Sequence, residues 1–143
     1  MQTRKATPED ADAVYALVCE MRKNPPPRPS FDALYNSAMI APHRCIVYAT
    51  DGAVPVGFAE FEMQTTLAAC MAVGTVHDLY VTPDFRGRNV GTGMLIFLTS
   101  FAKQLGCSVL QTSISRVNLR SESFLERNGF HKSRNLFLRE LLK

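Results

Sequence analysis

Residues 76–105 read as a strand, a tight turn, a loop rich in glycine and arginine, and then a helix. No other stretch constrains the fold as strongly. Leu79-Tyr80-Val81 is apolar and ends the strand, and Thr82-Pro83-Asp84-Phe85 is a turn. Arg86-Gly87-Arg88-Asn89-Val90-Gly91-Thr92-Gly93 follows, and Met94, Leu95, Leu98, Phe101, Ala102 and Leu105 then mark one face of a helix. Gly106 suits its C-terminal cap. A helix N-terminus offers unpaired N–H groups and the positive end of a dipole. Glycines let backbone approach an anion closely, and Arg86 and Arg88 add charge. The pattern therefore predicts a site for a phosphate or pyrophosphate, in preference to an ordinary turn with solvated arginines. It is neither a Walker A loop nor a dinucleotide fingerprint, because GxxxxGK[ST] and GxGxxG are both missing.

The rest of the chain supplies a sheet and helices around this unit. Residues 2–6 read as a short strand. Thr7-Pro8-Glu9-Asp10 reads as a helix start, with a capping hydroxyl, proline in the first turn and two acids at the positive end. Ala11, Val14, Val18 and Met21 recur at helical spacing. A proline-rich segment, Asn24 to Ser30, reads as a stiff loop, with Ser30 capping a second helix from Phe31 to about Ile40. Cys45 to Ala49 and Val56 to Met63 form strands around an Asp51-Gly52 turn, Phe58 alternating with Glu60 and Glu62. A third strand runs from about Met71 to Val81. Val109 to Ile114 is a strand, Asn118 to Arg127 a short helix, and Phe137 to Leu141 a last strand. The order β-α-α-β-β-β-α-β-α-β predicts an α/β (α+β) fold, residues 1–143 forming one domain.

Composition narrows the function. With 46% hydrophobic and 20% charged residues, the chain buries a core and is not disordered. A net charge of +3, with dispersed arginines and no aromatic–basic interleaving, argues against nucleic acid as a partner. No apolar run reaches a membrane span, and MQTRKATPED lacks the apolar centre of a secretion signal, so a cytoplasmic location is expected. Cys19, Cys45, Cys70 and Cys107 have no metal-binding spacing and read as reduced, mostly buried thiols.

Leu79 to Gly91 resembles the acetyl-CoA signature of the GNAT family of N-acetyltransferases, R/Q-x-x-G-x-G/A after a strand. Arg86, Asn89 and Gly91 fill its named positions. Asn89 replaces the usual glycine, and asparagine also tolerates left-handed backbone. A second register, Arg88-x-x-Gly91-x-Gly93, fits the letters, but the spacing from the strand favours the first. Asn118 is similar to the asparagine opening the family's second conserved helix, and Ser123 to Phe130 to its FYEKxGF stretch. Asp12 to Glu20 and Arg86 to Gly91 look most like the aminoalkylphosphonate N-acetyltransferases. The resemblance implies a single mixed, mostly antiparallel sheet flanked by about four helices, with acetyl-CoA as cosubstrate. It implies that the backbone of Leu79, Tyr80 and Val81 holds the pantetheine arm. Amides from Arg86 through Gly87, Arg88, Asn89, Val90 and Gly91 to Thr92 would bind the pyrophosphate. Asn118 would contact the pantetheine or orient the departing thiol.

The acceptor side is less defined. The family often places a base on the strand at the level of the acetyl group, where Thr75, His77 and Asp78 lie. Strand alternation predicts opposite faces for His77 and Asp78. An imidazole suits proton acceptance near neutral pH, so His77 is a candidate base, against the alternative of a histidine held by backbone. Asp78 reads either as a structural carboxylate or as a contact for a substrate ammonium. The family's frequent acid, a tyrosine, is Leu125 here, which leaves water, Ser121 or Ser123 to protonate the thiolate, or the thiolate to depart unaided. That departure also permits a CoA-holding sensor or assembly module that has lost its chemistry. The expected acceptor is the primary amine of a small molecule, such as an aminoalkylphosphonate or amino acid, attacking directly in a ternary complex. Arg22, Lys23 and Arg28, between the first two helices, would supply cations for its anionic group. A homodimer is left open, and His43 and His131 read as surface residues.

Overall fold

A computed structural model describes residues 1–114 and 119–142. The chain divides into two compact units, Met1–Ser113 and Ile114–Lys143. The first holds a five-stranded sheet in the order β1-β2-β3-β4-β5. The strands are β1 (Gln2–Lys5), β2 (Arg44–Asp51), β3 (Val54–Thr65), β4 (Ala72–Val81) and β5 (Cys107–Thr112). β1 to β4 pair antiparallel, whereas β5 pairs parallel to β4. The parallel pair needs a crossover, which α3 (Val90–Gln104) provides. The sheet is therefore mixed and mostly antiparallel, as expected.

Two helices, α1 (Ala11–Met21) and α2 (Arg28–Ile40), separate β1 from β2. A single 3-10 turn, Pro8–Asp10, leads into α1. There the Asp10 carboxylate accepts the Thr7 amide at 2.8 Å and takes both forks of Arg4, at 2.6 and 2.9 Å. The arginine holds the Asp10 carboxyl down to about 2. α2 begins at Arg28, earlier than Ser30 predicts, because Pro29 fits its first turn and the Pro27 carbonyl accepts the Phe31 amide.

The two faces of the sheet bury different sets. Ile46, Tyr48 and Phe58 cluster with Val14 and Leu17 of α1 and Tyr35 and Ala38 of α2. On the other side, Phe61 meets Phe101 of α3 edge to face at 5.4 Å, while Met94 and Leu98 are fully buried. Of the cysteines, Cys45 is buried, Cys19 and Cys107 are half-buried, and Cys70 is exposed, so the expectation of mostly buried thiols holds for Cys45 alone.

In the second unit, α4 (Leu119–Arg127) is closed by Gly129 at φ 88°. The strand expected at Phe137–Leu141 does not form, and these residues are in neither helix nor strand. Among the described residues, this unit holds no other strand to pair with it. No helix of the described residues is long and apolar enough to cross a membrane.

Candidate active site

β4 outruns its parallel neighbour. Pairing with β5 ends at Val76 opposite Thr112, where the Thr112 hydroxyl donates to the Val76 carbonyl at 3.0 Å. From Asp78 to Val81, β4 is paired on the β3 side only among the described residues. At its end the Thr82 amide donates to Val56 of β3, while the Val81 carbonyl instead accepts Arg86 Nε at 3.0 Å. By strand alternation, the backbone of Leu79 and Val81 therefore faces the open edge.

That edge leads into the N-terminus of α3. The loop turns there through Gly87 at φ 77° and Asn89 at φ 65°, so asparagine does adopt the left-handed geometry its position demands. The first intrahelical bond runs from the Gly93 amide to Asn89, and no side chain of the described residues caps the helix. The amides of Val90, Gly91 and Thr92 are thus left for an external acceptor. A Cβ at Gly87 would meet open space. Arg86 lies over the Tyr80 ring and Arg88 over the Phe85 ring, and among the described residues neither guanidinium is salt-bridged. β3 fixes the join. A Cβ on Gly57 would lie 2.8 Å from the Tyr80 carbonyl and 3.4 Å from Val90, so only glycine lets the start of α3 sit against the end of β4.

The acceptor side is shaped by a β-bulge. Glu60 pairs with Asp78 and Phe61 with Val76, leaving His77 as the extra residue. This overturns the alternation argument. The bulge resets the phase of the strand, so His77 and Asp78 serve one face. His77 Nε2 reaches Glu62 Oε1 at 3.1 Å, and Asp78 stands beside Glu60, on the same side of β3 as Phe58. Asp78 is half-buried and receives no hydrogen bond from the described residues. Its carboxyl is raised above the ordinary range, first by burial, then by Glu60, with Arg22 and His77 opposing. Arg44 of β2 closes the row, its terminal nitrogen 2.8 Å from Glu60. Nearby, the Tyr80 hydroxyl donates to Glu20 of α1 at 3.2 Å, beside a cleft lined by Glu20, Tyr80, Thr82, Pro83 and Asp84. Neither Arg44 nor Glu60 belongs to a motif that marks it in the sequence as a site residue. The alternation of Phe58 with Glu60 and Glu62 was the available signal, since it sets two carboxylates on a face that is otherwise apolar.

Other expected residues are placed differently. Arg28 is bound to Asp12 and Asp32 and lies over Tyr15 and Phe31, so it is structural and not free for an acceptor anion. Arg22 and Lys23 are exposed. Asn118 lies outside the described residues. Ser123 and Leu125 lie on α4, Leu125 accepting the Phe130 amide through its carbonyl. Its side chain offers no proton.

The family model for "Acetyltransferase (GNAT) family" matches residues 11–130, which cover both the β4–α3 junction and α4. The chain belongs to the GNAT acetyltransferase family. It is an acetyl-CoA-dependent N-acetyltransferase of that type. Across 98% of its length it is 29% identical to the aminoalkylphosphonate N-acetyltransferase of Salmonella typhimurium, covering 91% of that protein. An aminoglycoside N-acetyltransferase solved with CoA superposes with a TM-score of 0.86 at 20% identity, over 99% of this chain and 95% of that one. The glucosamine-6-phosphate N-acetyltransferase of Arabidopsis thaliana superposes at 0.83 with 17% identity, over 98% and 97% of the two chains. These structural likenesses establish the fold, and the GNAT sheet is the one described above.

Proposed function

We propose that this GNAT enzyme acetylates the primary amine of a small zwitterionic acceptor, such as an aminoalkylphosphonate or an amino acid, and that residues 1–143 act as one catalytic domain. The observation that carries the reading is the junction of a half-paired β4 with an uncapped α3. Acetyl-CoA supplies an acyl group already activated as a thioester. The amides of Val90, Gly91 and Thr92, with the loop from Arg86 to Asn89, hold its pyrophosphate, since aligned helix N–H groups and two unbridged guanidiniums favour an anion. The open-edge backbone of Leu79 and Val81, with Tyr80 between them, holds the amide-bearing pantetheine arm as a further strand would. Asn118 and Ser123 are assigned to the same cosubstrate through the family motif.

Asp78 docks the acceptor ammonium. It is a half-buried carboxylate without a hydrogen bond from the described residues, and an ammonium satisfies it. His77, exposed beside it and bonded to Glu62, takes the proton that the ammonium must lose before its nitrogen can attack directly in the ternary complex. Arg22, whose charge already acts on Asp78, and Lys23 stand ready for the acceptor's anionic end. The Salmonella relative's activity supports an acceptor with both charges. Release of CoA, measured with an amine panel at matched chain length, tests the assignment. An aminoalkylphosphonate or amino acid should exceed the plain alkylamine, and a preference for the plain amine or a polyamine would refute it.

A further inference from the structure

Three neighbouring strands carry one row of charge: Arg44 on β2, Glu60 on β3 and Asp78 on β4. Glu60 and Asp78 are direct cross-strand partners, a placement that brings Cβ atoms to about 5 Å. Two carboxylates so placed repel each other. Arg44 is opposite Glu62, two positions along β2 from Ile46, the residue opposite Glu60, and its fork reaches Glu60 diagonally. Its side chain is only 18% exposed. Nε is buried and has no hydrogen-bond partner among the described residues. A guanidinium is costly to bury unless its charge is matched. Glu60 supplies the match, and Arg44 makes no other ion pair among the described residues.

The groups acting on Asp78 are Glu60 from β3, Arg22 from the end of α1, and His77 from β4 itself. Arg44 lies farther off, on β2, with Glu60 between it and Asp78. We propose that Arg44 is a positioning residue that acts on Asp78 only through Glu60, drawing the Glu60 carboxylate toward β2 and leaving Asp78 open to the acceptor's ammonium. The inference rests on the reading of Asp78 given above. It adds a specificity device: a cation two strands away that keeps two facing carboxylates from closing on each other or sharing a proton. Glu60 then stands as a second carboxylate near the ammonium, its rotamer held by a partner the substrate does not touch.

The test is the titration of the Asp78 side-chain carboxyl by carbon NMR in the full-length free protein, assigned by its loss in Asp78→Asn. Glu60→Gln should lower the Asp78 midpoint by about half a pH unit, the size expected of one like charge at this range in a solvated site. Arg44→Gln should raise it, because the released Glu60 swings toward β4. The double variant Arg44→Gln/Glu60→Gln should match Glu60→Gln alone. Arg44→Lys, which keeps the charge but loses the fork, should raise the midpoint less than Arg44→Gln. An unmoved midpoint in a folded Arg44→Gln protein, or a double variant differing from Glu60→Gln, overturns the proposal. If Arg44→Gln does not fold, Arg44→Lys with and without Glu60→Gln decides: the lysine must move Asp78 only while Glu60 is present. Turnover of Asp78→Asn is read separately. A rate equal to that of the unaltered enzyme overturns the ammonium role of Asp78, while the titrations still judge the coupling.

Discussion

The two faces of the sheet are built from the same strands and do opposite things. The face under α3 is apolar through its centre, where Phe61, Val76, Met94 and Leu98 are buried, and meets a cation only at the β1 edge, where Lys5 lies over the Phe101 ring. The face under α1 and α2 is apolar only around Tyr48 and Phe58. Toward the other end of β3 it becomes Arg44, Glu60, Glu62, His77 and Asp78. A closed apolar face gives stability and leaves nothing to bind. The half-charged face gives up burial and retains, among the described residues, a carboxylate with no hydrogen bond. The bulge at His77 divides the two roles on one strand: Val76 is buried beneath α3, and the next two residues serve the other face.

The comparison breaks first at Phe61. Phe61→Ala removes a fully buried ring that touches Phe101, and the cavity should cost about 3–5 kcal/mol in denaturant unfolding. The order of preference among acceptors should not change. His77→Ala on the charged face should do the reverse, lowering turnover by about 10²–10⁴-fold near neutral pH with little change in unfolding. An unaltered pH–rate profile would move proton acceptance from His77 to water or Asp78.

Much of this division was legible in the residues. The β4–loop–α3 unit could be read because strand, turn, glycine and helical periodicity each leave a mark. Thr7-Pro8-Glu9-Asp10 likewise announced the turn that leads into α1. The bulge left none. One extra residue alters the phase of a strand without altering its composition, and so His77 and Asp78 were expected on opposite faces. The tie of Arg28 to Asp12 was also invisible, because it joins residues sixteen positions apart. The Phe137–Leu141 pattern has strand propensity, but a strand forms only with a partner.

Smaller effects sharpen the contrast at the opposite end of the sheet. Asp10 titrates well below a free carboxylate because Arg4 grips it, so the pair stabilises the fold above pH 4, and that stability drains as pH falls toward about 2. Asp10→Asn should remove about 1 kcal/mol at pH 7, after allowance for the partly exposed Arg4, and flatten this acid limb. The smallest expected effect is that of Arg28→Ala. Its partners are internal, so acceptor preference should stay as it is while α2 loses only a solvent-screened (i, i+4) bridge. A changed preference for anionic acceptors would return Arg28 to the site.

The most direct test separates the two ends of the active site in one protein. In Asp78→Asn, CoA affinity by calorimetry should equal that of the unaltered chain, because the amides of α3 and the edge of β4 are untouched. Thermal unfolding at pH 7 should be unchanged or slightly higher, since a carboxyl raised by burial and by Glu60 is a destabilising charge. Acetylation of the best amine should fall at least about a hundredfold. Full turnover with intact CoA binding, or a loss of CoA affinity in a folded protein, would contradict the assignment of cosubstrate and acceptor to these two places.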